Sequence, residues 1–200
     1  MPTQTFFGIP EEKRKKIITA AENEFKRTTL DKALISNIVK EAEIARGSFY
    51  QYFEDMDDLF FYIVESFLIY QESEFLRILI KNNGDIFKAT IEAFELGFDN
   101  FTDKGRMQLI QNVHKSLSNN KMEIRSLKQK RRKLIDETIM NIDEDLFTAD
   151  FRSSAGRMLN VLKNIQWNVL NKVFSHKLRK DVAVRELKAY IDLIRFGIRR

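Results

Sequence analysis

The segment ARGSFYQYFEDMDDLF, residues 45–60, carries an unusual number of hydrogen-bonding side chains for one short helix. Phe49 and Phe53 lie four residues apart, which puts both rings on one face of a helix, where they can anchor it in a small core. A helix that only closed a core would leave solvating charges on its other face. Here the other face is rich in groups that bind polar surfaces, namely Arg46, Ser48, Tyr50, Gln51 and Tyr52.

A second short helix directly precedes this one. Apolar residues at spacings of three and four predict it at about residues 34–41, and a tight connection at Glu43 and Ile44 leads into the helix of residues 45–52. Two helices joined in this way form a helix-turn-helix, in which the first braces across the DNA backbone and the second presents its N-terminal residues to the major groove. Gly47 lets a phosphate approach closely, at a helix-propensity cost of about 1 kcal/mol. We therefore expect the polar face to contact DNA.

The distribution of charge is more informative than the formal net charge of +5. Residues 1–60 contain nine Lys or Arg and eleven Asp or Glu, which leaves −2, because acidic residues gather at 54–58. That position is the start of the next predicted helix, where the helix dipole favours them. Residues 104–133 contain ten basic residues and one acidic residue, which leaves +9. The predicted DNA-binding head is therefore mildly positive only when its acidic end is set aside.

Helical periodicity continues through the rest of the chain, and no period-two strand pattern competes with it. A long helix is predicted from Asp55 to about Lys81, and a second over 85–102 has phenylalanines along one stripe. Further helices are predicted at 104–118, at 120–141 and along two apolar stripes near the end of the sequence. The predicted fold class is all-α, with a helix-turn-helix head and a larger helical body.

The phenylalanine stripe of 85–102 is most simply core packing, but part of it is also a candidate lining for a ligand pocket. Methionine and tryptophan would supply adaptable walls. Arg131 falls on an apolar helix stripe, so its guanidinium should point inward, where it must reach solvent, pair with an acid or meet an anionic ligand. The candidate pocket residues are Phe94, Phe98, Met107, Arg131 and Trp167.

The two apolar stripes near the end of the sequence predict an interface. On an isolated molecule they would be exposed patches, so we expect them to pack against the same helices of a second copy around a two-fold axis. The predicted dimer interface consists of Met158, Leu162, Ile165, Val169, Leu187, Ile191, Ile194 and Ile198.

The order FFGIPEEKRKKIITAAENEF, then ISNIVKEAEIARGSFYQYFEDMDDLF, resembles the N-terminal domain of TetR-type transcriptional repressors over residues 6–62. The resemblance implies an all-α homodimer with a DNA-binding domain at 1–56 and an effector-binding and dimerisation domain at 57–200. It further implies a repressor that binds a pseudo-palindromic double-stranded operator and is released by a small effector. The candidate pocket residues are consistent with an effector that is hydrophobic or anionic. In this pattern Tyr50 takes the position of a phosphate-contacting tyrosine. Ser36 takes one that sometimes contacts a base, and a local cap of the bracing helix is the alternative role for it.

The head departs from that family pattern at three positions. Leu34 stands where a Ser or Thr usually caps the bracing helix, Glu43 replaces the turn glycine, and Met56 replaces a phosphate-contacting lysine. We expect the first two to weaken local geometry and the third to remove one counterion-releasing contact. If the turn needs a positive φ at Glu43, that residue is strained by about 1–2 kcal/mol.

Other functional classes find less support in the sequence. It has no Cys and two His, and it lacks HExxH, GxSxG and glycine-rich phosphate loops, so we expect no catalytic residues, no metal site and no cofactor. Without Cys, a signal-like N-terminus or a membrane-spanning segment, the expected compartment is the cytoplasm. The alternative function is a helical small-molecule or lipid-binding module without specific DNA activity, which would leave the GSFYQYF segment at 47–53 unexplained.

Overall fold

The computed structural model describes residues 1–118, 129, 131–147 and 151–196. The prediction of an all-α fold is confirmed, because these residues form ten α-helices and two short 3-10 turns, without a strand among them. The predicted helix at 120–141 lies partly outside the described residues. The helices are α1 Gln4–Gly8, α2 Glu11–Arg27, α3 Ile35–Glu41, α4 Arg46–Tyr52, α5 Met56–Lys81, α6 Ile86–Thr102, α7 Lys104–Ser118, α8 Arg132–Met140, α9 Phe151–His176 and α10 Lys180–Phe196.

The helices pack into two compact units, and the first contains Met1–Ile69 together with α7. Its core is largely aromatic. In this unit α2 packs against α3 and α7, and Phe25 of α2 meets Phe60 of α5 edge-on, with ring centroids 5.1 Å apart. Phe49 and Phe53 are fully buried, as their four-residue spacing predicts. Burial of each such ring stabilises the fold by about 1.5–3 kcal/mol, so α4 is firmly anchored.

The second unit contains Tyr70–Asp103 and the described residues from Arg131 onward. Its core forms where α6 packs against α9 and α10, with Phe94 and Phe98 of α6 buried in it. The boundary between a DNA-binding and an effector-binding domain at residue 56 stays a prediction, because packing within the chain does not report which residues bind a partner.

A glycine and an aspartate set the start of α6. Gly84 has a φ of +81°, and a Cβ built there would lie 2.7 Å from the carbonyl oxygen of Asn141, so a side chain does not fit. Asp85 is the N-cap residue, and its carboxylate accepts hydrogen bonds from the backbone N–H groups of Phe87 at 3.0 Å and Lys88 at 2.9 Å. These two bonds satisfy donors that the first turn of a helix leaves without partners.

The apolar stripes of α9 and α10 are not exposed patches, and the prediction that they are exposed is wrong. Both stripes pack against α6 in the core of the second unit. Four of the predicted interface residues have 1 % or less of their surface exposed: Leu162, Val169, Leu187 and Ile191. Three more are partly buried against the same core: Met158, Ile165 and Ile194. Ile198 lies outside the described residues. An interface through these helices must therefore use their other faces.

The turn between α3 and α4 contains a residue in the left-handed region, as expected where Glu43 replaces a turn glycine. Glu43 has a φ of +55°, a conformation in which a Cβ crowds the following carbonyl group. Its carboxylate lies 3.1 Å from the ammonium nitrogen of Lys16, but both side chains are well exposed to solvent. An exposed ion pair of this kind contributes little to stability. The positive φ of Glu43 therefore has a net energetic cost.

We predict that Glu43→Gly has a free energy of unfolding about 1 kcal/mol higher than Glu43→Ala, because alanine keeps the Cβ that makes a positive φ costly. Both variants lose the ion pair with Lys16, so the difference between their free energies of unfolding reports the cost of the backbone conformation at residue 43. Urea unfolding monitored by circular dichroism measures it. Lys15 is an exposed position inside α2, where the same two replacements should differ in the opposite sense. A less stable glycine variant at Glu43 would contradict the prediction.

Candidate nucleic-acid interface

The exposed face of α4 carries most of the residues predicted to contact DNA. Arg46, Gly47 and Gln51 are exposed, and Ser48 is half-buried. Tyr50 has 49 % of its surface exposed. These residues fall within two turns of one helix, so their donors and acceptors lie close together at the surface, available to an external partner.

Two buried phenylalanines hold this face in place. The rings of Phe49 and Phe53 pack with their centroids 5.6 Å apart, and Tyr50 contacts Phe49 edge-on at 5.4 Å. An edge-on aromatic contact favours one ring orientation over others. Tyr50 is therefore held in position at the surface before any partner binds.

Tyr52 does not lie on the exposed face, and the position predicted for it is wrong. Only 4 % of its surface is exposed, its ring lies 6.1 Å from that of Phe6, and the Lys13 ammonium group lies 5.8 Å from its centroid. A residue three positions after Phe49 shares the buried side of a helix. Tyr52 therefore belongs to the anchor of α4, and a contact between its hydroxyl and DNA stays a prediction.

Two further predicted positions are accessible. Ser36 is exposed on α3. Beyond the backbone of its own helix, a Cβ built on Gly47 would meet none of the described residues within 4 Å, so packing among them does not require glycine there. The space in front of Gly47 is therefore open to an approaching surface.

A buried carboxylate fixes α3 to α2. Glu24 of α2 is only 2 % exposed. It accepts hydrogen bonds from the backbone N–H of Leu34 at 2.9 Å, from Asn37 Nδ2 at 3.0 Å and from Arg27 Nη2 at 2.8 Å. Burial raises the pKa of Glu24, but these hydrogen bonds and the charge of Arg27 outweigh it, so the pKa lies below its usual range. The ionised carboxylate also suits the N-terminus of α3, where the helix dipole favours negative charge.

Glu24 binds the start of α3, which lacks the expected cap. Leu34 occupies the N-cap position and makes no side-chain capping hydrogen bond. Glu24 binds the Leu34 N–H and the Asn37 amide instead, from a neighbouring helix. Glu24 therefore ties the start of α3 to α2, but it does not make the hydrogen bond to the first turn that a Ser or Thr cap would provide.

The helix α7 binds the end of α2 within the first unit. Asn112 is buried and donates from Nδ2 to the carbonyl oxygens of Phe25 at 2.9 Å and Lys26 at 3.1 Å. Ser116 Oγ accepts from the backbone N–H of Leu30 at 3.0 Å and donates to the carbonyl oxygen of Asn112 at 2.8 Å. These bonds satisfy carbonyls that the end of a helix leaves without partners. A single Asn and a single Ser give no sequence signal for such a contact, and sequence reasoning missed it.

The residues predicted to line an effector pocket do not all lie in the same unit. Phe94 and Phe98 are buried with ring centroids 6.0 Å apart, and Trp167 packs against the same core. Met107 lies on α7 and belongs to the first unit. The two phenylalanines therefore contribute to core packing, and their role in a pocket stays a prediction.

Arg131 pairs with an acid, which is one of the three alternatives that its sequence position left open. Its Nη1 lies 2.6 Å from Oε1 of Glu72, and both side chains are 10 % exposed. The ammonium nitrogen of Lys163 lies 3.4 Å from the same oxygen. The second oxygen, Oε2, is buried and has no hydrogen-bond partner among the described residues. The Glu72 cluster, meaning Glu72, Arg131 and Lys163, therefore contains one unused acceptor.

Other kinds of site find no support in the described parts of the chain. Within those ranges no three His, Cys, Asp or Glu residues are grouped so that they could hold a metal ion. None of the described helices combines the length and apolar character needed to cross a membrane. A groove beside α8 is lined by that helix alone and is too open to enclose a small molecule.

Residues 17–63 match the family described as bacterial regulatory proteins, tetR family. The matched range contains α3, α4, the turn between them and Glu24, so it coincides with the geometry described above. It confirms the resemblance drawn from residues 6–62. No curated protein matches the sequence significantly.

Two solved structures share the fold over nearly the whole chain. A protein described as a TetR-family transcriptional regulator from Mesorhizobium loti MAFF303099 is 16 % identical, with a TM-score of 0.65, over 90 % of this chain and 94 % of that one. A TetR family transcriptional regulator from Chloroflexus aurantiacus J-10-FL is 23 % identical, with a TM-score of 0.53, over 98 % of this chain and 95 % of that one. At these identities the likeness is one of fold.

Proposed function

We propose that this chain is a member of the TetR family of bacterial transcriptional regulators, that it represses transcription by binding an operator through α4, and that it leaves the operator when a small effector binds. Proteins of the family are non-enzymatic DNA-binding regulators, which supports a role for this chain as a regulator. The observation that carries the proposal is the exposed hydrogen-bonding face of α4, held on a buried aromatic anchor.

The chemistry of that face suits the two kinds of contact that DNA recognition needs. The Tyr50 hydroxyl and the Arg46 guanidinium can donate to phosphate oxygens, which position the protein without reading sequence. The Gln51 amide can donate and accept at once, which matches the edge of adenine in the major groove. Open space at Gly47 allows the sugar-phosphate backbone to come close, and Ser36 offers a further contact from α3.

We predict that Tyr50→Phe and Gln51→Ala impair DNA binding in different ways. Loss of the Tyr50 hydroxyl should weaken binding to operator and unrelated duplex alike, whereas loss of the Gln51 amide should relax base preference at one position by about 1–3 kcal/mol. Fluorescence anisotropy with single-base variants of a selected operator measures both effects. Tyr70 is an exposed tyrosine on α5, so Tyr70→Phe is the matched control and should change neither. Equal effects of the first two changes across the panel would refute the assignment.

We propose that two copies associate through the outward faces of α9 and α10. The inward faces of these helices are buried in the chain's own core. Their outward faces carry exposed apolar side chains, Val161, Leu193 and Phe196. A two-fold dimer presents two copies of α4, which enter successive major grooves when they are about 34–36 Å apart. A pseudo-palindromic operator would match that symmetry.

Leu193→Lys should convert the dimer to monomers, because a charge in an apolar interface loses its hydration without gaining a partner. Sedimentation velocity at micromolar concentration distinguishes the two states. Leu96 on α6 is exposed to a similar extent, so Leu96→Lys controls for the effect of adding a charge at the surface. A dimeric Leu193→Lys variant would exclude this part of α10 from the interface.

We propose that the effector binds in the second unit and is an apolar molecule with one hydrogen-bond donor. Arg131 and Lys163 both face Oε1 of Glu72, so the carboxylate already offsets part of their charge. The buried Oε2 is an acceptor, which a hydroxyl group can satisfy and a carboxylate cannot. The Glu72 cluster therefore favours the hydrophobic alternative over the anionic one.

The pair 1-decanol and decanoate tests this choice, because the two molecules share a chain and differ in their head group. We predict that decanol raises the melting temperature of the protein and that decanoate does so less, since a ligand that binds only the folded state stabilises it by mass action. Differential scanning fluorimetry of both titrations measures the shifts. A larger shift with decanoate would favour an anionic effector.

The alternative function, a helical small-molecule or lipid-binding module without specific DNA activity, would use only the second unit. It gives no reason for an exposed, hydrogen-bonding α4 with a buried anchor beneath it. A regulator of transcription must reach the bacterial chromosome, so we propose that the protein acts in the cytoplasm.

A further inference from the structure

The segment of residues 1–9, called here the N-terminal clasp, is hydrogen-bonded to the end of α4. The backbone N–H of Thr3 donates to the carbonyl oxygen of Tyr52 at 2.9 Å, and Thr3 Oγ1 donates to the carbonyl oxygen of Gln51 at 2.6 Å. Both carbonyls belong to the last turn of α4, where the helix itself provides no donors. Thr3 therefore caps the C-terminus of α4 from a distant part of the sequence.

Phe6 fixes the clasp to the head. Its ring is fully buried, with its centroid 4.7 Å from that of Phe53 and 5.6 Å from that of Tyr62. Arg14 of α2 adds a second attachment, because its Nη1 donates to the carbonyl oxygen of Phe7 at 2.8 Å. Both attachments follow Thr3 in the sequence, so the clasp is anchored just beyond the point where Thr3 meets α4.

The helix α4 has little stability of its own and depends on such contacts. It is seven residues long, which is too short to persist without tertiary packing. Ala45 at its N-cap makes no side-chain capping hydrogen bond, and Gly47 lowers the helical propensity of its first turn. The chain becomes extended at Phe53, directly after the last turn. Contacts at the C-terminal end therefore decide whether that last turn stays ordered.

We propose that the N-terminal clasp holds α4 in its DNA-binding conformation and that Thr3 and Phe6 are positioning residues for operator recognition. This inference rests on the proposed DNA-binding role of α4. Gln51 connects the clasp with recognition, because Thr3 binds its carbonyl oxygen and its side chain is proposed to contact bases. An open clasp would let the last turn fray and would displace Tyr50 and Gln51 from the groove. The clasp lies outside the family match at 17–63.

Two matched variants test the clasp in the full chain. Thr3→Val removes the Oγ1 donor and keeps both the shape of the side chain and the backbone N–H, whereas Thr5→Val makes the same change at an exposed position of α1. We expect amide hydrogen exchange at Gln51, Tyr52 and Phe53 to become about fivefold faster in Thr3→Val, the effect of one net hydrogen bond, and to stay unchanged in Thr5→Val. Unchanged exchange in Thr3→Val would overturn the proposal.

Phe6→Ala tests the link to recognition, because it removes the anchor of the clasp. We expect operator affinity to fall at least tenfold while amides of α6 and α9 keep their protection. Should Phe6→Ala unfold the whole head, the Thr3→Val comparison still decides the question. If Tyr50→Phe and Gln51→Ala weaken operator binding and Phe6→Ala does not, the clasp proposal fails while the proposed function of α4 stands. If none of these three changes affects DNA binding, the proposed function of α4 fails as well.

Discussion

The position of the proposed DNA-binding face depends on one buried carboxylate. Glu24 is ionised inside the head, and a charge taken out of water must be paired and hydrogen-bonded to be tolerated. Its donors come from α2 itself, from the start of α3 and from the side chain of Asn37, so satisfying it fixes the angle between α2 and α3. The left-handed residue Glu43 then sets the direction in which α4 leaves α3. The face that we propose contacts DNA inherits its orientation from these two constraints.

The remaining support for α4 divides between apolar and polar contacts. Phe49, Tyr52 and Phe53 hold the helix to the core from below, and Thr3 closes its last turn. This arrangement leaves the polar groups of Arg46, Gln51 and Tyr50 at the surface, where a partner can reach them. In the same unit, Asn112 of α7 completes the end of α2, which makes α7 part of the hydrogen-bond network of the head. A short helix can thus present a defined surface because packing within the unit supplies the stability that the helix lacks on its own.

The sequence predicts the features that repeat and misses those that depend on single distant contacts. Spacing of apolar residues predicts the helices and the buried rings Phe49 and Phe53, since burial of one helix face leaves a periodic pattern. The same pattern at Leu187 and Ile191 shows that a helix face is buried but not what covers it. The sequence therefore predicts a partner copy where the chain's own core covers the stripe. The spacing of three residues from Phe49 already places Tyr52 on the buried side of α4, and only its contact with Phe6, which is remote in sequence, leaves no such pattern. Glu24 and Asn112 act through individual hydrogen bonds, which leave no repeat to detect.

The most direct test of the account is the selection of DNA fragments by the full chain from a random duplex library, followed by sequencing of the bound fraction. An α4 face that reads bases in a two-fold dimer should enrich an inverted repeat whose half-site centres are about 10 base pairs, or a multiple of that, apart. The enrichment should disappear when Gln51 and Tyr50 are both replaced by alanine in a protein that stays folded. A folded wild-type protein that retains DNA without enriching any sequence would contradict the account.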